Sequence, residues 1–375
     1  MRNPIYIIDY SFVAPVQDLL SIERTCFSKN SQNDWVACIS EEQEILLFKF
    51  LEDFPNYRNL DRSVQLALYA ASKIQGVTGK TAVNIGSSRG ATGLWEHYHE
   101  QFLKSQEDNK VSLGIHASPL TTLGNISSWV AQFLQVKETA FSHSITCATA
   151  AHSILNAIAW MESGMAERFI AGGSEAPLTE FTIGQMKALR IYSNDKSEYP
   201  CRALDTTKSR NTMILGEAAA LFYLTKNALG AKAKIIGYGT AIEPLTSATS
   251  VTVDGLCLRE SMKMALGGLD IESIDAILTH APGTIKGDTA EINAIESVFG
   301  DTKPYLCNTK WQLGHSLGAS AAISLVLAMQ MIESGDYPVI PYLHNQHKMQ
   351  HNPERILINA TGFGGNAVSL VVERV

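Results

Sequence analysis

Several features that define common protein classes are scarce or missing in this sequence of 375 residues. No apolar run approaches the roughly 20 residues of a membrane-spanning helix, and Asp9 interrupts the first apolar stretch, so no signal peptide is indicated. The six cysteines include no CxxC pair and no dense framework, which disfavours metal sites and disulfides. The 30 basic residues are outnumbered by 37 acidic ones, and the net charge of −7 argues against nucleic acid as a bulk partner. We therefore expect a cytoplasmic protein without a membrane span, a metal site or a nucleic-acid partner.

Apolar residues, by contrast, are plentiful enough for a large core. They make up 45% of the sequence, against 18% charged residues. At about 150 residues per domain, the length fits two domains or one duplicated unit. Apolar spacing predicts a helix from about Asp61 to Ile74. Strand-like stretches alternate with helical ones, which predicts a mixed α/β protein; they are Ile5–Ile8, Thr81–Ile85, Ala140–Thr146, Arg168–Gly172, Ala219–Thr225, Ile235–Tyr238, Ala276–Thr279, Ile356–Asn359 and Ala367–Glu373.

An internal repeat is the strongest sign of how the chain is organised. The segments Ala148–Gly164 and Ala319–Gly335 align without gaps at an offset of 171 residues (319 − 148). Both look helical, end in glycine and are small or apolar around most of their circumference, so we expect two buried helices. They are either two unrelated alanine-rich helices or the central helices of a duplicated fold. The positions that find an identical residue 171 places later are Ala148, Ala150, Ala151, Ser153, Ala157, Glu162, Ser163 and Gly164.

Candidate chemistry stands at the starts of these two segments. Cys147 directly precedes the first, where free N–H groups and the helix dipole favour a thiolate and hence a nucleophile. The alternative role for such a cysteine is a small buried hydrophobe. His315 lies three residues before Gly318, the counterpart of Cys147, and His280 follows an apolar strand. Each histidine has a structural alternative, but in a pseudo-twofold fold Cys147 and His315 would approach each other from equivalent helix ends.

Six blocks of sequence resemble, in order, the β-ketoacyl-acyl-carrier-protein synthases of the thiolase-like superfamily. The resemblance runs from about residue 60 to the end of the sequence and is densest from Ser144 onward. The blocks are Thr146-Cys147-Ala148-Thr149, Ala171-Gly172-Gly173-Ser174-Glu175-Ala176, Pro200-Cys201-Arg202 with Asp205 and Leu215-Gly216-Glu217, His280 through Asp288, Asn308-Thr309-Lys310 through His315, and Gly362-Phe363-Gly364-Gly365.

The resemblance implies both a fold and a mechanism. The fold would be α/β, a thiolase-like duplicated five-layer α/β/α/β/α sandwich, with residues 1–230 carrying Cys147 and residues 231–375 carrying His280 and His315. Cys147 would take an acyl group from a carrier-protein thioester. The two neutral histidines would then stabilise the enolate formed when malonyl carrier protein loses CO2. Lys310 and Glu291 match a buried charged pair near the histidines, and no cofactor is implied.

The substrate-binding residues that the resemblance implies include departures from the usual family pattern. Phe363 and Gly364 belong to the loop whose N–H groups, with that of Cys147, would hold an oxyanion. Thr284 retains a contact to the pantetheine arm, but Pro282 replaces a second threonine and has no donor. Met213 stands where a phenylalanine gate is usual, and Thr361 where an aromatic residue is usual, which predicts a reshaped acyl pocket. These departures favour a specialised condensing enzyme, of the kind found in polyene or pigment pathways.

The resemblance also implies an acyl carrier protein as partner, and acyl and malonyl thioesters as substrates. Because carrier proteins are acidic, docking needs a local basic patch. Arg58 and Arg62 are the first candidates, and Lys208, Arg210 and Lys286 are further ones. The chain would act as a homodimer or as a heterodimer with a homologous subunit.

Two other functions compete with this one. A non-catalytic chain-length-factor-like subunit is the first, although such subunits usually lack the cysteine. A coenzyme-A thiolase or a three-carbon-starter synthase is the second. Thiolases usually carry a second reactive cysteine in a late glycine-rich motif, where Cys307 does not fit, and starter synthases usually have asparagine where this chain has His315.

Overall fold

The helices and strands alternate along most of the chain. They are taken from a computed structural model, and the structure describes residues 3–20, 25–78, 80–107, 113–123, 125–247, 249–343, 346 and 349–375. The described helices are α1 (Glu41–Asp53), α2 (Arg62–Ala71), α3 (Thr92–Glu107), α4 (Ala117–Leu120), α5 (Asn125–Phe133), α6 (Thr149–Glu162), α7 (Glu180–Ala188), α8 (Leu256–Leu266), α9 (Ile285–Phe299), α10 (Lys310–Leu313) and α11 (Ser320–Ser334). The described strands are β1 (Ile5–Val13), β2 (Ser28–Lys29), β3 (Trp35–Ala37), β4 (Thr81–Gly86), β5 (Ala140–Phe141), β6 (Arg168–Glu175), β7 (Leu215–Gly216), β8 (Ala218–Thr225), β9 (Ala233–Ile242), β10 (Ala276–Leu278), β11 (Tyr305–Cys307), β12 (Arg355–Gly362) and β13 (Asn366–Arg374).

The sheet topology repeats itself, as the sequence repeat predicts. The main sheet has the order β11-β10-β12-β13-β9-β1-β8-β6-β4-β5, and β2, β3 and β7 form a small second sheet. In chain order, the main-sheet strands of the first half are β1, β4, β5, β6 and β8, and those of the second half are β9, β10, β11, β12 and β13. Counted in this way, both halves have the same spatial order across the sheet: third, second, fourth, fifth and first strand. The second strand of each half is parallel to the third and fourth, and the remaining pairs are antiparallel. The halves join through the antiparallel pair β1–β9. The predicted boundary of the two halves, between residues 230 and 231, falls between β8 and β9; that these halves are separate domains stays a prediction.

Helices fill the space on both faces of each half-sheet and so create five layers. One apolar cluster joins α2 and α5 to β4, β6 and β8. A second joins α6 and α11 to strands of both halves, and a third joins α8 and α9 to β10, β12 and β13. The strands β4, β6, β8, β10, β12 and β13 are buried on both faces along most of their length, which explains their continuous apolar character. The predicted α/β/α/β/α sandwich is confirmed.

The two repeated segments form the middle layer. The helix α6 begins at Thr149 and α11 at Ser320, again 171 residues apart. The helix α11 is buried along nearly its whole length, as predicted, whereas α6 leaves His152 and Trp160 half-buried and Ala159 exposed. One stretch of the described residues, Leu317–Ser334, is long and apolar enough to cross a membrane. Since 83% of it is buried inside the protein, its apolar character is that of a core helix.

One strand prediction was too long. The strand-like stretch Ala140–Thr146 pairs with β4 only at Ala140 and Phe141, and the remaining residues form the approach to Cys147. Thr146 has a φ of 48°, which no β-strand accommodates. β-branched and small residues there satisfy a strand pattern, but the backbone must turn to deliver the cysteine to the helix start.

Close packing of the middle layer predicts a stability difference between two glycine substitutions. A Cβ on Gly173, in β6, would lie 2.9 Å from the Ala150 Cβ and 3.0 Å from the Ala319 Cα, whereas a Cβ on Gly184, in α7, would meet nothing within 4 Å. We expect Gly173→Ala to lower the free energy of unfolding by about 1–3 kcal/mol through overpacking. Gly184→Ala should raise it by up to about 1 kcal/mol through helix propensity. Urea denaturation of both variants checks this, and equal effects would contradict the packing account.

Candidate active site

A cavity of about 680 Å³ opens where α6 and the segment leading into α11 begin, at the junction of the two halves. Cys147, His280 and His315 all line it, so the structure brings together the three residues that the sequence predicts as reactive. Other lining residues come from both halves. Most are apolar or short and polar, and three are charged; they include Ser88, Arg89, Met186, Ile191, Met213, Glu243, Pro282, Thr284, Lys286, Leu317, Thr361 and Phe363.

Cys147 is held by the turn that precedes α6. The N–H of Ala148 donates to the Ile145 carbonyl (3.2 Å). The Thr149 hydroxyl accepts from the Ile145 N–H and donates to the Thr146 carbonyl. The predicted thiolate is not supported, because burial raises the pKa of Cys147 to about 12 and the carboxylate of Glu175 adds to that rise. The cations of Lys310 and Arg89 oppose it only in part. Burial therefore favours the neutral thiol of Cys147 over the thiolate.

The two histidines face each other across one side of the cavity. Their ring centroids are 5.2 Å apart at an angle of 83°, and both are buried. Burial and the nearby charge of Lys310 hold the pKa of each well below 6.5, so both rings are neutral at pH 7. The Nδ1 atom of His315 is buried and has no hydrogen-bond partner among the described residues. Neutral imidazoles buried beside a cavity are suited to donate hydrogen bonds to a developing oxyanion.

Glu291 and Lys310 lie behind the histidines and outside the cavity lining. Glu291, on α9, accepts bonds from the backbone N–H groups of His280 (2.8 Å) and Ala281 (2.6 Å) and from the Asn359 amide (3.1 Å). In the described part of the chain, no carboxylate oxygen of Glu291 lies within 4.0 Å of the Lys310 Nζ, the limit for a direct ion pair. Burial lowers the pKa of Lys310 to about 8, and the charge of Glu291 offsets part of that fall. The expected charged pair is thus a longer-range interaction, in which Glu291 fixes the backbone that carries His280.

Glu175, at the end of β6, is a structural residue of the site that sequence reasoning did not single out. Its buried carboxylate accepts bonds from the Ser87 hydroxyl (2.8 Å), from the hydroxyl and N–H of Ser88 (2.8 and 2.7 Å), and from the N–H groups of Arg89 (3.0 Å) and Gly318 (2.9 Å). It therefore ties a loop of the first half to the segment before α11. An acidic residue ending an apolar strand was the available signal.

The predicted substrate-binding residues divide into cavity-lining and supporting positions. Thr284 and Met213 line the cavity, and Thr284 also caps α9 by accepting from the Gly287 N–H (3.2 Å). Phe363 lines the cavity too, and its carbonyl accepts from the Thr146 hydroxyl (3.0 Å). Gly364 is not among the lining residues. A Cβ on Gly362 would lie 2.7 Å from the Cys147 nitrogen, so this loop passes against Cys147 only because a glycine stands there.

Three of the cations predicted to dock a carrier protein, Arg58, Arg62 and Lys208, differ in their exposure and in their ion pairing. Arg58 is exposed and its Nε donates to the Leu51 carbonyl (3.0 Å). Arg62, by contrast, is held by the carboxylates of Glu217 and Glu44, each at 2.6 Å, so its charge is already neutralised. Lys208 does not reach the surface: its side chain is 2% exposed and pairs with buried Asp288 at 2.7 Å. Sequence cannot separate these cases, because the partners lie far away along the chain.

No group of three or more His, Cys, Asp or Glu side chains that could hold a metal ion occurs in the part of the chain that the structure describes.

Comparison with known proteins gives the same family along both halves of the chain. Residues 27–228 match the model of the β-ketoacyl synthase N-terminal domain, and residues 232–345 match that of the C-terminal domain. A 3-oxoacyl-(acyl-carrier-protein) synthase 1 of Haemophilus influenzae is 27% identical over 361 residues, covering 89% of this chain and 86% of that protein. A 3-oxoacyl-(acyl-carrier-protein) synthase 2 of Staphylococcus aureus is 27% identical, covering 84% of this chain and 83% of that protein.

Solved structures share the fold. An ishigamide ketosynthase/chain length factor superposes with a TM-score of 0.85 at 20% identity, over the full length of both chains. A β-ketoacyl synthase from Burkholderia phymatum superposes with a TM-score of 0.82, also at 20% identity and over the full length of both chains. The fold is thus that of the thiolase-like ketosynthases. From its two domain matches, this chain belongs to the β-ketoacyl synthase family, a family of acyltransferases.

Proposed function

We propose that the protein is a β-ketoacyl-acyl-carrier-protein synthase that performs a decarboxylative Claisen condensation with Cys147, His280 and His315. The observation that carries this proposal is that the three side chains line one cavity, beside the loop that passes against the Cys147 nitrogen. The curated relatives named above are 3-oxoacyl-(acyl-carrier-protein) synthases, which supports the same assignment.

The first half of the reaction loads the enzyme. The Cys147 sulfur attacks the carbonyl carbon of an acyl thioester on a carrier protein, forming a new carbon–sulfur bond. The old carbon–sulfur bond breaks, and the carrier thiol leaves with the proton that Cys147 gives up. Because burial raises the pKa of Cys147 to about 12, we infer that this proton is lost during the attack rather than beforehand.

The second half forms the new carbon–carbon bond. When malonyl carrier protein binds, its carboxylate carbon–carbon bond breaks, CO2 leaves, and the electron pair moves onto the thioester oxygen as an enolate. Neutral His280 and His315 donate hydrogen bonds to that oxygen, an electrostatic stabilisation that does not require proton transfer. The enolate carbon attacks the acyl-Cys147 carbonyl, and the bond between that carbon and the Cys147 sulfur breaks. The sulfur leaves as a thiolate that takes a proton from solvent, and the β-ketoacyl product leaves on the carrier protein. Lys310 and Glu291 serve as positioning residues for the histidines.

Replacement of the nucleophile gives the first test. With acyl and malonyl carrier proteins as substrates, we expect Cys147→Ala to abolish both the covalent acyl-enzyme and the β-ketoacyl product, measured by intact mass and by chromatography of the product. Cys38→Ala is the matched control, because Cys38 is exposed and lies outside the cavity lining. Product formation that survives Cys147→Ala, in a variant with unchanged thermal unfolding, would exclude this mechanism.

The neutral histidines predict a particular pH dependence. Since the pKa of both lies well below 6.5, the rate of malonyl decarboxylation should stay flat from about pH 7.5 down to about pH 6. Lys310, with a pKa lowered to about 8, stays mostly charged over that interval. At lower pH the unfolded state binds more protons than the folded one, so stability falls as pH falls through about 6.5. CO2 release, with circular dichroism as the folding control, measures this; a half-maximal loss near pH 6.5 would contradict it.

A specialised pathway is part of the proposal. Pro282 and Met213 both line the cavity, so the two departures from the usual family residues lie where they alter substrate contacts. A donor is lost at Pro282, and a flexible thioether replaces an aromatic gate at Met213. Polyene or pigment-type acyl chains are the class we favour, in a cytoplasmic enzyme that receives them from an acyl carrier protein.

For docking of the carrier protein, Arg58 is a better candidate than Arg62, because Arg62 is already paired with two carboxylates.

A dimer, homomeric or with a homologous subunit, is the assembly we infer. The edge strand β5 is paired only with β4 in the described chain, and α6 beside it leaves one face partly open. A chain-length-factor-like role within a heterodimer is the alternative, and one fold relative is a ketosynthase/chain length factor. Cys147 and both histidines in one cavity favour the catalytic role.

Size measurement of the purified protein by light scattering tests the assembly. We expect about twice the 40.9 kDa chain mass, with condensing activity in that homodimer. A chain that stays monomeric and inactive until a homologous subunit is co-expressed would favour the heterodimer instead. If the co-expressed complex loses no activity on Cys147→Ala of this chain, the subunit is the non-catalytic one.

A further inference from the structure

One wall of the cavity is mainly apolar, and two cations, Arg89 and Lys286, are among the residues that line the cavity. Met186, Leu189 and Ile191 come from α7 and the residues that follow it, and Met213 and Leu317 continue the same wall. Such a wall suits an alkyl or polyene chain extending from Cys147. Arg89 also lines the cavity, and an arginine remains charged at any physiological pH.

Contacts on both sides fix the position of Arg89. Its backbone N–H donates to Glu175, within the cluster that anchors residues 87–89. Its Nη1 donates to the Oε1 of Gln185, the residue directly before Met186 on α7. The guanidinium therefore lies on the α7 side of the cavity, with the apolar wall. Its charge lowers the pKa of Cys147, although the opposing effect of burial is larger.

The charge of Arg89 is not neutralised by the protein as described. Among the described residues, no carboxylate lies within 4.0 Å of its guanidinium, and the side chain instead donates to a neutral amide. The arginine is half-buried, so a chain filling the cavity would strip water from it. Removing water from an unpaired charge is strongly unfavourable, whereas a charge-assisted bond to a substrate oxygen restores the lost interaction.

We propose that Arg89 is a specificity-determining residue that selects acyl groups carrying an oxygen acceptor, a carboxylate above all, over plain hydrocarbon chains of the same length. The proposal rests on the proposed function, since it concerns the acyl group that Cys147 accepts. A guanidinium recognises a carboxylate through two parallel hydrogen bonds, and a carbonyl or hydroxyl oxygen through one.

Acyl transfer to Cys147 from matched thioesters tests the proposal. The probes are butanoyl, hexanoyl and octanoyl pantetheine and their carboxylate-ended counterparts succinyl, adipoyl and suberoyl pantetheine. The rate of acyl-enzyme formation is followed by intact mass. At the chain length that reaches Arg89, we expect Arg89→Met to lower the ratio of the carboxylate to the methyl rate by about tenfold or more, the effect of one charge-assisted bond. Arg89→Lys should restore part of that ratio.

Lys187→Met is the matched control. Lys187 is a cation on α7, the helix that Arg89 contacts, but it pairs with Asp34 and does not line the cavity. It should keep the wild-type ratio, and thermal unfolding of each variant verifies folding. A ratio that Arg89→Met leaves unchanged at every chain length would overturn the proposal, as would a change confined to the KM for malonyl thioester. Failure of every probe to acylate Cys147, the methyl-ended ones included, would refute the proposed function instead.

Discussion

The site depends first on the buried carboxylate of Glu175. A carboxylate removed from water is stable only when its oxygens are fully bonded, and Glu175 gains these bonds from two places that are distant in the sequence, residues 87–89 and Gly318. The first place belongs to the half that carries Cys147, and the second to the half that carries the histidines. The hydrogen bonds that stabilise the buried charge of Glu175 thus also fix the half that carries Cys147 relative to the half that carries His280 and His315.

A second buried carboxylate extends the same principle to His280. Glu291 accepts from the His280 and Ala281 N–H groups, so the histidine is positioned through its backbone and its ring remains available to the cavity. Burial then acts on every titratable group in the same direction, towards the neutral form. It raises the pKa of Cys147 and lowers those of His280 and His315. A site of neutral, buried donors suits the stabilisation of an oxyanion better than the transfer of protons through charged intermediates.

Sequence reasoning succeeded where the information is repeated or local. The offset of 171 residues predicted two equivalent helices, and α6 and α11 begin at equivalent residues. It failed where the outcome depends on contacts across the fold. Lys208 resembles a surface cation but pairs with Asp288, which is 80 residues away. Cys147 has the local setting of a thiolate, yet its burial by residues distant in the sequence raises its pKa. Arg89 carried no motif at all, and only the packing of its loop against α7 reveals that it lines the cavity.

Duplication accounts for the frame of the site, and asymmetry within it accounts for the chemistry. Gly318 occupies the position equivalent to Cys147, 171 residues later, so the two halves offer equivalent places for a nucleophile. A Cβ on Gly318 would lie 2.5 Å from the Ser88 nitrogen and 2.6 Å from a Glu175 oxygen. No side chain fits there while the Glu175 cluster is intact. The bonding that locks the halves together therefore requires a glycine at the second position and leaves only the first free to carry a thiol. The presence of a cysteine at only one of these two equivalent positions follows from that steric constraint.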